Sequence, residues 1–127
     1  MQPKYSLLTA ILVIAGLACS CRSLPSDPRV RMEPHLNSTV AVTNVVTTTN
    51  EADLTQVQVI LGNRTSRTQQ VEVRVSWLDD QGLVQDSLTE HWQTVSVGRS
   101  VEARFKSTAP SPEAKDFRVY IQRKRTN

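Results

Sequence analysis

The sequence is short of the residue types on which most enzyme, metal and phosphate sites depend. Of its 127 residues, two are cysteine, two are histidine and four are glycine. No cysteine follows Cys21, so no disulfide can form within the rest of the chain. There is also no glycine-rich loop of the kind that cradles a phosphate group. These absences argue against a nucleotide-binding domain and against a disulfide-stabilised one.

Catalytic groups are equally sparse. A Ser-His-Asp or Cys-His site needs a histidine held between a nucleophile and a carboxylate, and His91 is the only histidine in the predicted domain. It stands between Glu90 and Trp92 in an irregular stretch, and we interpret it as a surface residue. His35 has no second ligand at metal spacing. We therefore predict no catalytic residue, no metal site and no cofactor, and we do not expect an enzyme.

Aromatic residues and an excess of one charge are lacking too. Phe, Trp and Tyr make up 5% of the chain, and 15 Lys and Arg against 12 Asp and Glu give a net charge of +3. Few aromatics are available for base stacking, so nucleic acid is not expected as a partner. The run Arg123-Lys124-Arg125 can attract an anionic lipid or cell-wall polymer, although a solvated tail is the simpler interpretation.

The one long hydrophobic run lies at the N-terminus. It covers residues 7–18 (LLTAILVIAGLA), follows a single basic residue, Lys4, and ends at Cys19-Ser20-Cys21. This arrangement is typical of a secretory signal peptide. The run is shorter than the roughly 20 residues that a membrane-spanning helix needs. We therefore predict a signal peptide over residues 1–18.

A cysteine directly after such a run resembles the lipobox of bacterial lipoproteins, in which the thiol receives a diacylglyceryl group before cleavage. Small residues on both sides, Ala18 and Ser20, favour Cys19 as the lipidated residue. Cys21 is the alternative, and it would leave no spare thiol in the mature chain. Several acyl chains on one residue anchor a protein durably. Ordinary secretion, with two free thiols or an intermolecular bridge, remains a second alternative.

The lipid anchor carries an expectation about location and spacing. The second residue after Cys19 is not aspartate, the usual inner-membrane retention signal, so we expect the outer membrane, facing the periplasm. Residues 19–38 are predicted to form the lipidated N-terminus and a flexible tether, because Pro25, Pro28 and Pro34 keep such a segment extended. The domain proper is predicted over residues 39–127.

The predicted domain is organised around the strand at residues 71–77 (VEVRVSW). Val71, Val73, Val75 and Trp77 share one side, which is the period-two pattern of a half-buried strand. The segment Asp79-Asp80-Gln81-Gly82 follows and predicts a turn, with a positive φ at Gly82. Calcium takes roughly six to eight oxygen ligands, and no carboxylate cluster supplies them here, so the two aspartates are assigned to the turn.

Other segments repeat this alternation between turn signals. Strands are predicted over residues 39–48 and 54–61, around Ala103 and around Val119, with at most one helical turn at residues 111–114. Six or seven short antiparallel strands of this kind indicate an all-β, immunoglobulin- or fibronectin-like sandwich.

The stretch 83–97 fits this pattern least well. Leu88 and Trp92 share one parity, whereas Val95 and Val97 share the other. A β-bulge near residues 93–94 would re-aim the side chains, so that both sets could face the core.

Two aromatic side chains are the candidate partner-binding residues. Tyr120 has the opposite parity to the apolar Phe117, so it is expected to face outward. Trp92 lies in the irregular stretch. An exposed aromatic near open edge strands suits protein–protein contact or strand addition. The alternative is that both rings pack locally against Arg and Gln side chains.

The order of several short motifs resembles the YcfL family of small bacterial envelope lipoproteins, whose domain has no known function. The motifs are Asn63, Trp77-Leu78-Asp79-Asp80-Gln81-Gly82, Trp92, Ala109-Pro110 and Phe117-Arg118-Val119. The resemblance covers about two thirds of the mature chain. It implies an immunoglobulin-like sandwich outside the cytoplasm and brings no established catalytic residues.

These observations favour a non-enzymatic, lipid-anchored module of the cell envelope that binds a protein or a cell-wall partner. A small-ligand or ion-binding periplasmic lipoprotein is the alternative. A concave pocket around His91 or Asp79 would favour the alternative, and a flat, partly apolar sheet face around Tyr120 would favour the binding module.

Overall fold

The computed structural model describes residues 27–87 and 90–126, which form two β-sheets packed face to face. The predicted signal peptide, Cys19 and Cys21 lie outside the described residues. In chain order the strands are β1 (Val30–Met32), β2 (Val40–Thr49), β3 (Thr55–Asn63), β4 (Gln69–Leu78), β5 (Val84–Gln85), β6 (Gln93–Val97), β7 (Ala103–Thr108) and β8 (Asp116–Arg123). A single 3₁₀ turn, Leu36–Ser38, stands between β1 and β2.

The larger sheet has the order β1-β8-β4-β5, with β6 also paired to β4, and the smaller has the order β2-β3-β7. The predicted all-β sandwich is confirmed. The described residues hold eight strands, against the six or seven predicted, and two of them, β1 and β5, are only three and two residues long. All pairs are antiparallel except β1 with β8, which is parallel. No helix in the described residues is long and apolar enough to cross a bilayer.

The core is built from the inner faces of β4, β8 and β3. The strand β4 places Val71, Val73, Val75 and Trp77 at 2% exposure or less, as the alternation predicts. On β8, Phe117, Val119 and Ile121 are equally buried. Trp77 meets its cross-strand neighbour Phe117 edge to face, with ring centroids 5.7 Å apart. Burying rings and β-branched side chains from both sheets is the main favourable contribution to folding.

Two polar contacts join the sheets, in a domain that has no disulfide. The indole Nε1–H of Trp77 on β4 donates to the Ser107 hydroxyl on β7, over 3.1 Å inside the core. The Asn63 side-chain amide, at the end of β3, donates to the Val97 carbonyl on β6 over 2.9 Å. Each contact satisfies polar groups that would be costly to leave unpaired.

The predicted turn after β4 is present. The Asp79 carboxylate accepts backbone N–H bonds from Gln81 and Leu83 at 3.0 and 2.9 Å, and Gly82 has φ 80°. The segment 111–114 is a turn rather than a helix, closed by the Ala114 N–H to the Ser111 carbonyl.

The predicted extent of the tether is wrong in its last part. Val30–Met32 is a strand of the larger sheet, and Leu36 is 2% exposed within the core. The Arg29 carbonyl accepts from the Val119 N–H over 2.8 Å, and the Glu33 N–H donates to the Ile121 carbonyl over 2.8 Å. The sandwich therefore includes residues that the proline content of the sequence had led us to place in the flexible tether.

The predicted bulge near residues 93–94 is also wrong. Strand β6 pairs with β4 in unbroken register from Val97 to Gln93. No bulge is needed, because Trp92 lies on the outer face with Arg74 whereas Val95 and Val97 pack on the core side. Leu88 lies outside the described residues. The irregularity in register falls on β2, between Val42 and Asn44.

Candidate functional site

The outer face of the larger sheet carries the candidate site, because the period-two alternation that buries Val73 and Val75 turns Arg74 to the opposite side. Arg74 is the cross-strand neighbour of Tyr120 on β8, and Tyr120 is in turn the neighbour of Arg31 on β1. Such neighbours lie close enough for their side chains to touch. Trp92, just before β6, completes this set, which we call the Arg74 cluster (Arg31, Arg74, Trp92 and Tyr120).

The Arg74 guanidinium lies between the two predicted aromatic residues. Its Cζ atom is 5.0 Å from the ring centroid of Trp92 and 5.0 Å from that of Tyr120. A guanidinium at this distance is attracted by the negative face of each ring. Trp92 remains 37% exposed. The stack holds both rings in place on an open surface.

The cationic groups of the Arg74 cluster have no acidic partners. All 12 Asp and Glu side chains lie within the described residues, and none forms an ion pair with Arg31 or Arg74. The Arg74 Nε is buried and has no hydrogen-bond acceptor in the described part of the chain. A guanidinium with free donors is well suited to hold a planar anion.

A shallow cleft of about 190 Å³ opens beside these rings. It is lined by Arg31, Met32, Glu33, Trp92, Tyr120, Ile121 and Gln122. The Glu33 carboxylate accepts the Arg123 N–H over 2.8 Å, and the Gln122 amide donates to Glu72 over 2.7 Å. Its polar walls are therefore fixed by the protein's own hydrogen bonds.

The segment between β5 and β6 positions Trp92. Ser76 and Leu78 have the outward parity of β4 but are only 6% and 8% exposed. The Ser76 hydroxyl donates to the Glu90 carboxylate over 2.6 Å, which shows that Glu90 lies over this end of the sheet. His91 is exposed there, so the tryptophan next to it, not the histidine, belongs to the cluster.

A larger groove of about 890 Å³ lies at the open side of the sandwich, between the edge strands β1 and β2. Its lining includes Val30, Met32, His35, Val42, Val45 and Arg64. Neither His91 nor Asp79 lines either cleft. A concave site of the kind that a small ligand needs is therefore present, but it is not formed by His91 or Asp79, the residues that the sequence indicated.

An electrostatic cluster fixes the start of β1. Arg29 donates from Nε and Nη2 to the two Asp27 carboxylate oxygens at 3.0 and 2.7 Å, and its guanidinium lies 4.2 Å from the Phe117 ring centroid. These hydrogen bonds lower the pKa of Asp27 and raise that of Arg29. Burial works to raise the pKa of Asp116, but the hydrogen bonds from Arg118 and the Phe117 N–H outweigh it, so that pKa is lowered.

No cluster of side chains in the described residues suggests a metal site, because no three or more His, Cys, Asp or Glu residues come together there. Asp79 is engaged in its turn. Sequence reasoning identified Trp92 and Tyr120 but missed Arg74 and Arg31. The outward parity of Arg74 was visible in the sequence, whereas its place between two rings depends on the pairing of β4 with β8.

The fold and this surface define the class: an immunoglobulin-like β-sandwich domain with an exposed cation–aromatic face. The chain belongs to the family described as protein of unknown function (DUF1425), whose profile matches residues 28–123. That match begins close to β1, in agreement with its place in the sandwich.

Two solved structures are similar to the chain. The Campylobacter jejuni protein Cj0090 is 26% identical, with a TM-score of 0.66, and the match covers 77% of this chain and 100% of that one. A member of the same family from Shewanella sp. pv-4 is 15% identical, with a TM-score of 0.61, over 69% of this chain and 81% of that one. The second likeness shows the fold alone. No curated protein matches the sequence.

Proposed function

We propose that this protein is a non-enzymatic, lipid-anchored module of the cell envelope that binds a protein or cell-wall partner through the outer face of its larger sheet. The observation that carries the proposal is the Arg74 cluster, in which two partly open aromatic rings are held rigid by a cation without an acidic partner. Exposed Trp, Tyr and Arg are the residues that dominate binding energy at interfaces.

The non-enzymatic part of the proposal is supported by the chemistry of the described residues. The lowered pKa values belong to Asp27 and Asp116, each hydrogen-bonded to an arginine. Such pairs hold structure together: the hydrogen bonds of both carboxylates come from an arginine side chain and a backbone N–H. The family description names no activity.

The anchor and the location come from the leader sequence. Lipidation of Cys19, with Cys21 as the alternative, would attach the domain to the outer membrane, facing the periplasm. Cys19→Ser should release the protein from the membrane fraction, and Cys21→Ser should leave it there. The reverse pattern would move the anchor to Cys21, and retention of the double variant would refute lipidation.

The binding face is tested by photo-crosslinking in whole cells. A photoreactive residue at position 92 should form crosslinks to one or a few envelope components. The control is the same residue at position 101, because Val101 is 64% exposed but precedes β7 of the other sheet. Equal patterns from both positions, or none from position 92, would contradict the proposal.

The groove between β1 and β2 supports a second candidate, binding of a small ligand. Its half-buried Val and Met side chains and its polar rim match the usual make-up of such pockets. A metabolite screen that raises the melting temperature, with the gain abolished by Val42→Trp in the groove and kept in Trp92→Ala, would favour this candidate.

Within its family, we propose that the chain is YcfL-like. The support is the order of its motifs: Trp77 to Gly82, then Trp92, then Ala109-Pro110, then Phe117 to Val119.

A further inference from the structure

We propose that the cleft beside Tyr120 binds a sugar ring that carries a carboxylate. This rests on the proposed function, since it names the chemistry of a partner at the same face. The cleft holds about 190 Å³, whereas pockets for drug-sized ligands run from roughly 300 to 1,000 Å³. Its size therefore suits one sugar residue of a longer chain that continues over the open sheet.

The apolar contacts come from the aromatic rings. A pyranose ring presents C–H groups on its faces, and these pack against Trp92 and Tyr120, which line the cleft. Because Arg74 lies between the two rings, they are ordered before the ligand arrives. Little side-chain entropy is then lost on binding.

The carboxylate is recognised by the Arg31 guanidinium. Arg31 lines the cleft, and no Asp or Glu side chain forms an ion pair with it. Arg74 is not part of the lining and its Nε is buried, so its role is to hold the two rings. A planar carboxylate matches the fork of a guanidinium and gains charge-assisted hydrogen bonds. Arg31 is the cross-strand neighbour of Tyr120, so an anion that it holds stays close to the aromatic wall.

The opposite wall orients the ligand. The Glu33 carboxylate is negative and is fixed by the Arg123 N–H, and Gln122 uses its N–H₂ group on Glu72. The acceptors that remain on Glu33 and Gln122 suit sugar hydroxyls, and Glu33 repels a second carboxylate. The acidic group is therefore directed to the arginine side and the hydroxyls to the Glu33 side.

The test uses the two indole N–H signals of the ¹⁵N-labelled full chain, purified from membranes in detergent. The chain has two tryptophans, and Trp77 is fully buried, so its signal is an internal control. Trp92→Phe assigns the signals. The probes are N-acetylmuramic acid and N-acetylglucosamine, which differ only by a lactyl group with its carboxylate.

The Trp92 signal should shift saturably with N-acetylmuramic acid, the Trp77 signal should stay in place, and N-acetylglucosamine should bind at least about tenfold more weakly. Arg31→Gln should abolish this difference, because Arg31 is the arginine that lines the cleft, whereas Arg104→Gln, at an exposed position on β7, should keep it. No saturable shift, equal binding of both sugars, or a preference that survives Arg31→Gln would overturn the inference.

The crosslinking test separates this inference from the proposed function. If position 92 forms a specific crosslink but neither sugar shifts the Trp92 signal, the sugar chemistry is refuted and the binding face stands. If both experiments fail, the binding face is refuted as well.

Discussion

The indole nitrogen of Trp77 lies 3.1 Å from the hydroxyl oxygen of Ser107, and this buried hydrogen bond ties the larger sheet to the smaller one. Trp77 is fully buried and Ser107 is 8% exposed. The bond lets a large side chain with one polar atom sit in the centre of the core without an unsatisfied donor.

Ser107→Ala should therefore destabilise the domain strongly, although it removes only one oxygen atom. Removing the hydroxyl leaves the Trp77 N–H buried and unpaired, at an expected cost of about 1–3 kcal/mol in the free energy of unfolding. Urea denaturation followed by circular dichroism measures it. Ser96→Ala, at an exposed position on β6, is the control and should change stability by less than about 0.5 kcal/mol. Equal effects would show that the bond contributes nothing specific.

Asn63→Ala should loosen the other link between the sheets. The side-chain amide donates to the carbonyls of Arg67 and Val97, and its oxygen accepts the Thr65 N–H over 2.8 Å. The same oxygen also accepts from the Thr65 hydroxyl over 2.7 Å. Losing these hydrogen bonds should cost roughly 1–3 kcal/mol. The matched control is Asn37→Ala, because Asn37 is exposed. If Asn63→Ala had the same denaturation midpoint as the native protein, the turn would be shown to hold without the Asn63 side chain.

Gly82→Ala should strain the turn after β4. At φ 80°, a Cβ is disfavoured by roughly 1–2 kcal/mol, although nothing lies within 4 Å of the position that it would occupy. Gly82→Asn should recover part of the loss, since asparagine tolerates positive φ. Gly98→Ala is the control, because its Cβ would make an ordinary contact 3.9 Å from the Val101 Cβ. A melting temperature that falls equally for Gly98→Ala would contradict the assignment to backbone strain.

Stability should fall with acidification, partly through Asp27. Its pKa in the folded state is lowered from 3.8 by the hydrogen bonds from Arg29. Near that pH the folded state binds fewer protons than the unfolded state. The contribution of Asp27 to stability is therefore complete above pH 3.8 and is lost as the pH falls through the lowered pKa of the folded state. Urea midpoints measured from pH 7 down through this range should fall less steeply for Asp27→Asn than for the native protein. Identical slopes would mean that the pair contributes nothing to stability.

Much of the sandwich could be predicted because its main strands carry a local signal. Alternation over Val71–Trp77 and over Phe117–Ile121 identifies both strands and their buried faces without any knowledge of their neighbours. The turn at Asp79–Gly82 is equally local, since its carboxylate and its glycine act within a few residues.

The strand β1 could not be predicted from its own residues. Val30-Arg31-Met32 is too short to show a period and stands among prolines. Hydrogen bonds to β8 and the contact of the Arg29 guanidinium with the Phe117 ring place it in the sheet, and both depend on residues far along the chain. The candidate site could not be predicted for the same reason, because Arg74 contacts Trp92 and Tyr120 only after β4, β6 and β8 have paired.

The most direct test of the binding face combines partner recovery with stability in one pair of samples. Crosslinked whole cells that produce the native protein or the Trp92→Ser/Tyr120→Ser variant are lysed, the protein is purified and the attached components are quantified. The two melting temperatures are measured in parallel. We predict at least about a tenfold loss of the attached component with a similar melting temperature. Full recovery of the same component by the variant would contradict the account.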